Sequence, residues 1–267
     1  YSLIIIVLIC VSIFFLFFYK KTRPKREGFK PTDYLDGIDV IYWINLDRSA
    51  DRRQRMEKMF EDPVFAEKKI IRISAVDGKA HDIDQVLNAN FQGMQPERFT
   101  KVEYACLLSH LNIIKQFSES SYENALIMED DMTLEFKPYW KKSVKQIMDT
   151  APNNWETIQL CYIISNMVPQ KIYTKNTGNL FSTGAYIINQ NGAKKILNYS
   201  TKHILNQNIK HPADDYLINS TITYTYKYPL FIYGDNETST IHQDHITGHN
   251  NSKNIILKQI YNYTLQK

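Results

Sequence analysis

Three acidic side chains in a row, Glu129, Asp130 and Asp131, follow the apolar run Ala125-Leu126-Ile127-Met128 with nothing between. Like charges this close repel unless a cation neutralises them, and carboxylate oxygens are the donors that hard divalent ions such as Mg²⁺ or Mn²⁺ take. Behind a buried strand the triplet suits a metal bridging carboxylates to substrate phosphates; without the strand, an acidic surface loop is the commoner reading. A second polar group follows Val40-Ile41-Tyr42-Trp43-Ile44, where Asn45 to Arg53 carries Arg48, Arg52 and Arg53 beside Asp47 and Asp51. Guanidinium forks and backbone N–H groups at a helix N-terminus converge on a phosphate or diphosphate. A solvated helix start, with Asp51 near the cap and surface ion pairs, explains the same composition equally well. Further on, Asp214 and Asp215 in His211-Pro212-Ala213-Asp214-Asp215-Tyr216-Leu217 stand at a helix start, where an aspartate serves as N-cap or general base. His242, His245 and His249 crowd into eight residues, a spacing open to a metal ligand, a phosphate donor or an exposed loop, and one functional histidine is expected among them.

These groups need a scaffold that brings strand ends together. Val40–Ile44 is an apolar run of strand length; Met56, Met59 and Phe60 then recur at helical spacing after a polar turn. Ile70 to Ile73 repeats the strand signal, residues 104–117 read as a mostly buried helix, and residues 125–128 as a short buried strand. Later strands are expected at 156–162, 181–188 and 230–233, and helices at 138–149, 191–199 and 213–219. Alternating units of this kind predict an α/β fold with a mainly parallel sheet, whose ligands bind outside the carboxyl ends of its strands.

The 267 residues carry a net charge of +4, but residues 20–30 alone hold +5, leaving −1 for the rest. A nearly neutral body lacks the basic field of a nucleic-acid binder, so no nucleic-acid partner is expected. Residues 2–19 contain no charge and have the length of a membrane-crossing helix, followed by bulky and basic residues rather than a small-residue cleavage site. The expected organisation is a transmembrane anchor at 1–19, a basic juxtamembrane stem at 20–38 with Pro24 and Pro31, and one domain at 39–267. The localisation that follows is a single-pass membrane protein held through residues 2–19, its body on the cytoplasmic or the ER/Golgi-luminal side. Cys10, Cys106 and Cys161 are too far apart for a disulfide framework, and buried free thiols are expected at Cys106 and Cys161.

Taken in order, several segments resemble glycosyltransferase family 25: Ile44-Asn45-Leu46-Asp47-Arg48 with Asp51-Arg52-Arg53, Glu103-Tyr104-Ala105-Cys106-Leu107-Leu108-Ser109-His110-Leu111, and Ala125 to Asp131. The likeness continues through Ser182-Thr183-Gly184-Ala185-Tyr186-Ile187-Ile188, Gly192-Ala193, Asp214-Asp215-Tyr216-Leu217 and Ser239-Thr240-Ile241, and so spans roughly residues 40–242. The resemblance implies a GT-A type nucleotide-binding fold, a UDP-sugar donor, an Mn²⁺ or Mg²⁺ cofactor and an inverting transfer of a hexose, galactose first, to a saccharide or hydroxylated protein acceptor.

Carried over by position, Asn45, Leu46 and Arg53 would lie near the nucleotide-sugar, joined there by Asp47, Arg48, Glu103, Ser109, His110 and Asp130. Asp131 with Glu129 would hold the metal, with His242 as a further ligand. Asp214 or Asp215 would deprotonate the acceptor hydroxyl. Val102 and Ala105 stand where the family has glycines, which is expected to reshape the backbone around Glu103 and Ser109. The rival reading is a catalytically silent carbohydrate- or nucleotide-binding or adhesion module on the same fold.

Overall fold

The computed structural model describes residues 30–164, 168–197, 202–234 and 246–265. Its elements run β1 (Val40–Asn45), α1 (Ala50–Met59), β2 (Lys69–Ser74), α2 (Ile83–Asn90), β3 (Phe91–Gln92), α3 (Lys101–Ser118), β4 (Asn124–Glu129), β5 (Met132–Thr133) and α4 (Val144–Thr150). They continue through β6 (Thr157–Gln159), β7 (Ile163–Ile164), β8 (Tyr173–Lys175), β9 (Leu180–Phe181), β10 (Ala185–Asn189) and α5 (Gln190–Ile196). The last are β11 (His203–Ile204), α6 (Pro212–Ser220), β12 (Thr223–Tyr226), β13 (Ile232–Tyr233) and α7 (Ile246–Leu265).

The main sheet has seven strands in the order β2-β1-β4-β10-β6-β12-β8. The buried stretches of β1, β4 and β10 are apolar because both faces are covered. Val40, Tyr42, Ile44, Ala125, Ile127, Tyr186 and Ile188 pack on the side of α2 and α3, while Ile41, Trp43, Leu126, Met128, Ala185 and Ile187 pack on the side of Met56, Phe136 and Trp140. The described residues from Pro31 onward form one compact unit. Its edge takes in part of the expected stem, since Leu35 and Ile38 are buried in the core.

The sheet corrects the expectation of a mainly parallel arrangement. β1 is parallel to β2 and β4, and β12 to β6, but β10 runs antiparallel to β4 and β6, and β8 to β12. The strand expected at 181–188 is split at Ser182, whose φ of 99° puts it in the left-handed region: β9 before the break pairs with β7, and β10 after it starts beside the C-terminal end of β4 and runs back. The transmembrane helix and the single-pass localisation are corrected as well. Among the described residues no helix is long and apolar enough to cross a membrane, and residues 2–19 lie outside them.

α3 carries the expected buried helix, capped by Thr100 and Glu103 in reciprocal hydrogen bonds. Val102 and Ala105 leave that helix regular. Val102 is accommodated across from Gly78, where a β-carbon would fall 2.5 Å from Val102 Cα and 2.8 Å from its N. Gly78→Ala is therefore expected to destabilise the protein by about 1–3 kcal/mol through overpacking against helix backbone, read as a lowered midpoint in urea with an unchanged m-value.

Candidate active site

One end of the sheet gathers the chemistry. β1, β4, β6 and β12 finish there, β10 and α6 begin there, and the N-terminal half of α3 lies alongside because α3 runs antiparallel into β4. Asn45, the last residue of β1, is 1% exposed and fully engaged. Its Nδ2 donates to Asp130 Oδ2 at 2.7 Å and to the Ser49 carbonyl at 3.2 Å, while its Oδ1 accepts from Arg72 Nη2 at 2.8 Å and Nε at 3.0 Å. Arg52 reaches in from α1 to place Nη1 2.5 Å from Asp130 Oδ1. Burial pushes the Asp130 carboxyl up against the opposing pull of Arg52 and Asn45, and the net shift is upward.

Asp47 is exposed and held below the usual carboxylate range by the Ser74 hydroxyl at 2.6 Å and by Arg72 at 2.6 Å. Arg48 pairs with Asp77 (Nε to Oδ2 2.7 Å) and Arg53 with Glu57 (2.8 Å), both at the surface, and Leu46 is half-buried beside them. Of the arginines in this turn, the one tied to the acidic triplet is thus Arg52.

The triplet does not act as one cluster. Asp130 turns to Arg52 and Asn45, and Glu129 turns to α3. Glu129 Oε1 accepts from the Thr183 hydroxyl at 2.7 Å and stands 3.4 Å from His110 Nε2. Burial pushes Glu129 up, but His110, Thr183 and Arg52 outweigh it and leave the carboxyl below its ordinary value. His110 is fully buried, its Nδ1 3.1 Å from Tyr186 Oη. Cys106, one helical turn before His110, completes a group whose ligand atoms all lie within 4.8 Å of one another. Burial and the surrounding carboxylates, Glu129 first, push its thiol well up. Cys106 and Cys161 are both free thiols. Asp131 is half-buried at the end of β4, its carbonyl accepting from Gly234 N.

Glu103 and Ser109 serve α3 locally. Glu103 Oε2 accepts from Thr100 N at 2.7 Å, and Ser109 Oγ donates to the Ala105 carbonyl at 2.7 Å while accepting from Val76 N at 2.9 Å. His242 and His245 lie outside the described residues; His249 is on α7, its carbonyl accepting from Tyr233 Oη.

The paired aspartates of α6 separate cleanly. Asp215 is 6% exposed and folds back over the helix start, Oδ2 accepting from His211 N at 3.0 Å and from Lys210 N. Asp214 instead meets the strained turn before β10. Burial pushes its carboxyl up to about 7, opposed by hydrogen bonds from Ser182 backbone and Thr183 side chain and reinforced by the charges of Glu129 and Asp215. That turn is fixed from below: Gln159 Nε2 donates to the Ser182 carbonyl at 2.7 Å, and Gln159 Oε1 accepts from Asn176 (3.0 Å) and Thr225 (2.6 Å). A strained residue over-determined in this way is a common feature of functional sites.

Carboxylates and a guanidinium gathered where the strands of a mixed α/β sheet end define a protein built to handle a polar, charged ligand in that crevice. The comparisons specify it further. Residues 38–217 match the family described as Glycosyltransferase family 25 (LPS biosynthesis protein), and the chain belongs to that family. Procollagen galactosyltransferase 2 of Homo sapiens is 31% identical over 201 residues, covering 66% of this chain and 31% of the relative. Procollagen galactosyltransferase 1 of Danio rerio is 29% identical over 212 residues (70% and 34%), and a glycosyltransferase 25 family member of Drosophila melanogaster 28% over 196 residues (67% and 30%). The chain spans about a third of the length of these relatives.

Arg52 was one of three arginines in the expected phosphate-binding turn, its pairing with Asp130 not foreseen, and Arg72, Cys106, Thr183 and Tyr186 were not expected at the site. Cys106 and His110 did carry a signal, four residues apart on one helix face. Arg72 carried none, because its partner lies on a neighbouring strand.

Proposed function

We propose that this chain is a glycosyltransferase that moves a hexose, galactose first, from a UDP-sugar to a hydroxyl of a glycan or hydroxylated side chain with inversion at the anomeric carbon. The observation that carries the reading is Asp214: a carboxyl near neutrality, at the strand-end crevice, with its partner Asp215 committed to the helix start. A general base for an alcohol works best with a pKa near the working pH. The names of the relatives favour galactose as the sugar.

Among the described residues Arg48 and Arg53 are held by surface ion pairs, which are each worth about 0–1 kcal/mol, so a diphosphate can take over either guanidinium. A cleft of about 330 Å³ beside the start of α6, lined by Asn179, Asn206, Asn208, Lys210 and Tyr216 among others, offers polar groups to a sugar acceptor. The family implies a hard divalent ion. Asp131, a carboxylate just beyond β4, fits Mn²⁺ or Mg²⁺ and would hold it, the chemistry supplied being neutralisation of diphosphate charge. Asp130 is committed to Arg52 and Asn45, and Glu129 accepts from the Thr183 hydroxyl beside a thiol and an imidazole.

Donor hydrolysis tests the proposal. The full chain is offered UDP-galactose, UDP-glucose, UDP-N-acetylglucosamine and their GDP counterparts, each with Mn²⁺ and with chelator. UDP release from UDP-galactose, lost with chelator, is the expected result. Metal-dependent UDP binding with no release, even with glycan and hydroxylysine acceptors supplied, would make the chain a silent binding module instead.

A further inference from the structure

We infer that Cys106, His110 and Glu129 form a site for a zinc-class divalent cation, distinct in chemistry from the hard-ion position at Asp131. The three residues come from two elements that the fold brings side by side: Cys106 and His110 one turn apart on α3, and Glu129 at the end of β4. Their donor atoms lie within 4.8 Å of one another. Thiolate, imidazole and carboxylate together are a borderline-to-soft set that suits Zn²⁺, not Mg²⁺.

Two observations point to a ligand among them. The first is a buried polar atom: His110 is 0% exposed, and its Nε2 has no hydrogen-bond partner among the described residues. The second is spacing. Nε2 stands 3.4 Å from Glu129 Oε1, long for an N–H···O bond, whereas two ligands of about 2.0–2.1 Å on a tetrahedral ion are separated by roughly 3.3 Å. The outer contacts are those of a metal-binding histidine as well. Tyr186 Oη engages Nδ1 at 3.1 Å, leaving Nε2 aimed at the cluster, and the Thr183 hydroxyl fixes Glu129 at 2.7 Å. Three protein ligands leave a fourth position open, and Glu129, 27% exposed at its side chain, marks the side from which it is reached. Binding releases the Cys106 proton to solvent, since the thiolate is the ligand.

The site stands whether or not the chain transfers sugar, because its test uses metal alone and no donor. The full chain, stripped with chelator and kept reduced, is titrated with Co²⁺ as a spectroscopic stand-in for Zn²⁺. One equivalent is expected to give a thiolate-to-cobalt charge-transfer band together with intense tetrahedral d–d bands, both erased by Zn²⁺ and untouched by excess Mg²⁺. Cys106→Ala and His110→Ala should lose the charge-transfer band or the tightness of binding, Cys161→Ala should lose neither, and Tyr186→Phe should weaken Zn²⁺ binding about 10–100-fold. Should a variant fail to fold, the wild type still answers: Zn²⁺ should protect Cys106 from alkylation, mapped by mass spectrometry. Absence of a thiolate–cobalt band, or alkylation of Cys106 at the same rate with and without Zn²⁺, overturns the site.

Discussion

Asp214→Asn is expected to lower sugar transfer about 10²–10⁴-fold, the usual contribution of a positioned general base, without unfolding the protein. Asparagine keeps the shape and can still accept from the Ser182 backbone and Thr183 hydroxyl that hold the native carboxylate. What it cannot do is take a proton. Because the Asp214 carboxyl sits at about 7, wild-type kcat/KM should climb with pH up to about that value and then level, and the residual activity of Asp214→Asn should lack that limb.

Stability should move the other way. A carboxyl raised from 3.8 to about 7 binds its proton more tightly folded than unfolded, so its contribution is complete below the unfolded value and is lost as pH rises through the folded one. The asparagine variant, neutral at every pH, should gain thermal stability relative to wild type from about pH 4 to pH 7, the gap holding constant above. Asp215→Ala supplies the contrast. It strips the acceptor from the Lys210 and His211 amides and should cost about 1–3 kcal/mol of stability, with activity falling only as the folded fraction falls. An Asp214→Asn protein with wild-type turnover would remove this carboxylate from the chemistry.

Part of the central sheet was legible: β1 and β4 are buried on both faces and read as unbroken apolar runs at 40–44 and 125–128, and the edge strand β2, half-buried and interrupted by Arg72, still shows through its isoleucines at 70, 71 and 73. β12 was not, since Thr223-Tyr224-Thr225-Tyr226 looks polar until Thr221, Gln159 and the Ile218 carbonyl are seen satisfying its buried hydroxyls. The break at Ser182 was hidden in the same way, as its left-handed backbone is held by Gln159 from another strand rather than by a local glycine. The same limit governs the site. Sequence placed Asp130 and the arginine turn at strand ends, but which arginine faces inward depends on how α1 is rotated against the sheet, and neighbouring residues of a helix point to different sides. The two aspartates of α6 were adjacent letters sharing the same two candidate roles, N-cap or base; only the fold distinguishes the one that bonds its own helix start from the one that faces Ser182 and Thr183.

Arg52 carries the second large expectation, on stability. Its side chain is 11% exposed and that of Asp130 10%, with Nη1 2.5 Å from Oδ1, so the pair is buried. Forming such a pair from water is close to neutral, whereas removing one member strands the other: Arg52→Met should cost about 3–5 kcal/mol. Methionine keeps an unbranched apolar stem, so the loss reports the missing charge rather than a missing volume. The penalty should depend on pH in a definite direction. Burial already raises the Asp130 carboxyl and Arg52 is the foremost influence lowering it; without Arg52 the carboxyl rises further and takes up a proton in the folded state. Its stabilising contribution is then present at low pH and lost as pH rises, so the deficit of Arg52→Met measured by urea unfolding should be larger at pH 8 than at pH 5. Adding Asp130→Asn should recover most of the deficit at pH 8, since the asparagine oxygen still accepts from Asn45 Nδ2 and no bare charge is left behind. A deficit equal at both pH values, or a double variant no more stable than Arg52→Met, would mean that Arg52 stabilises the site through packing and that Asp130 is reached by water when its partner is gone.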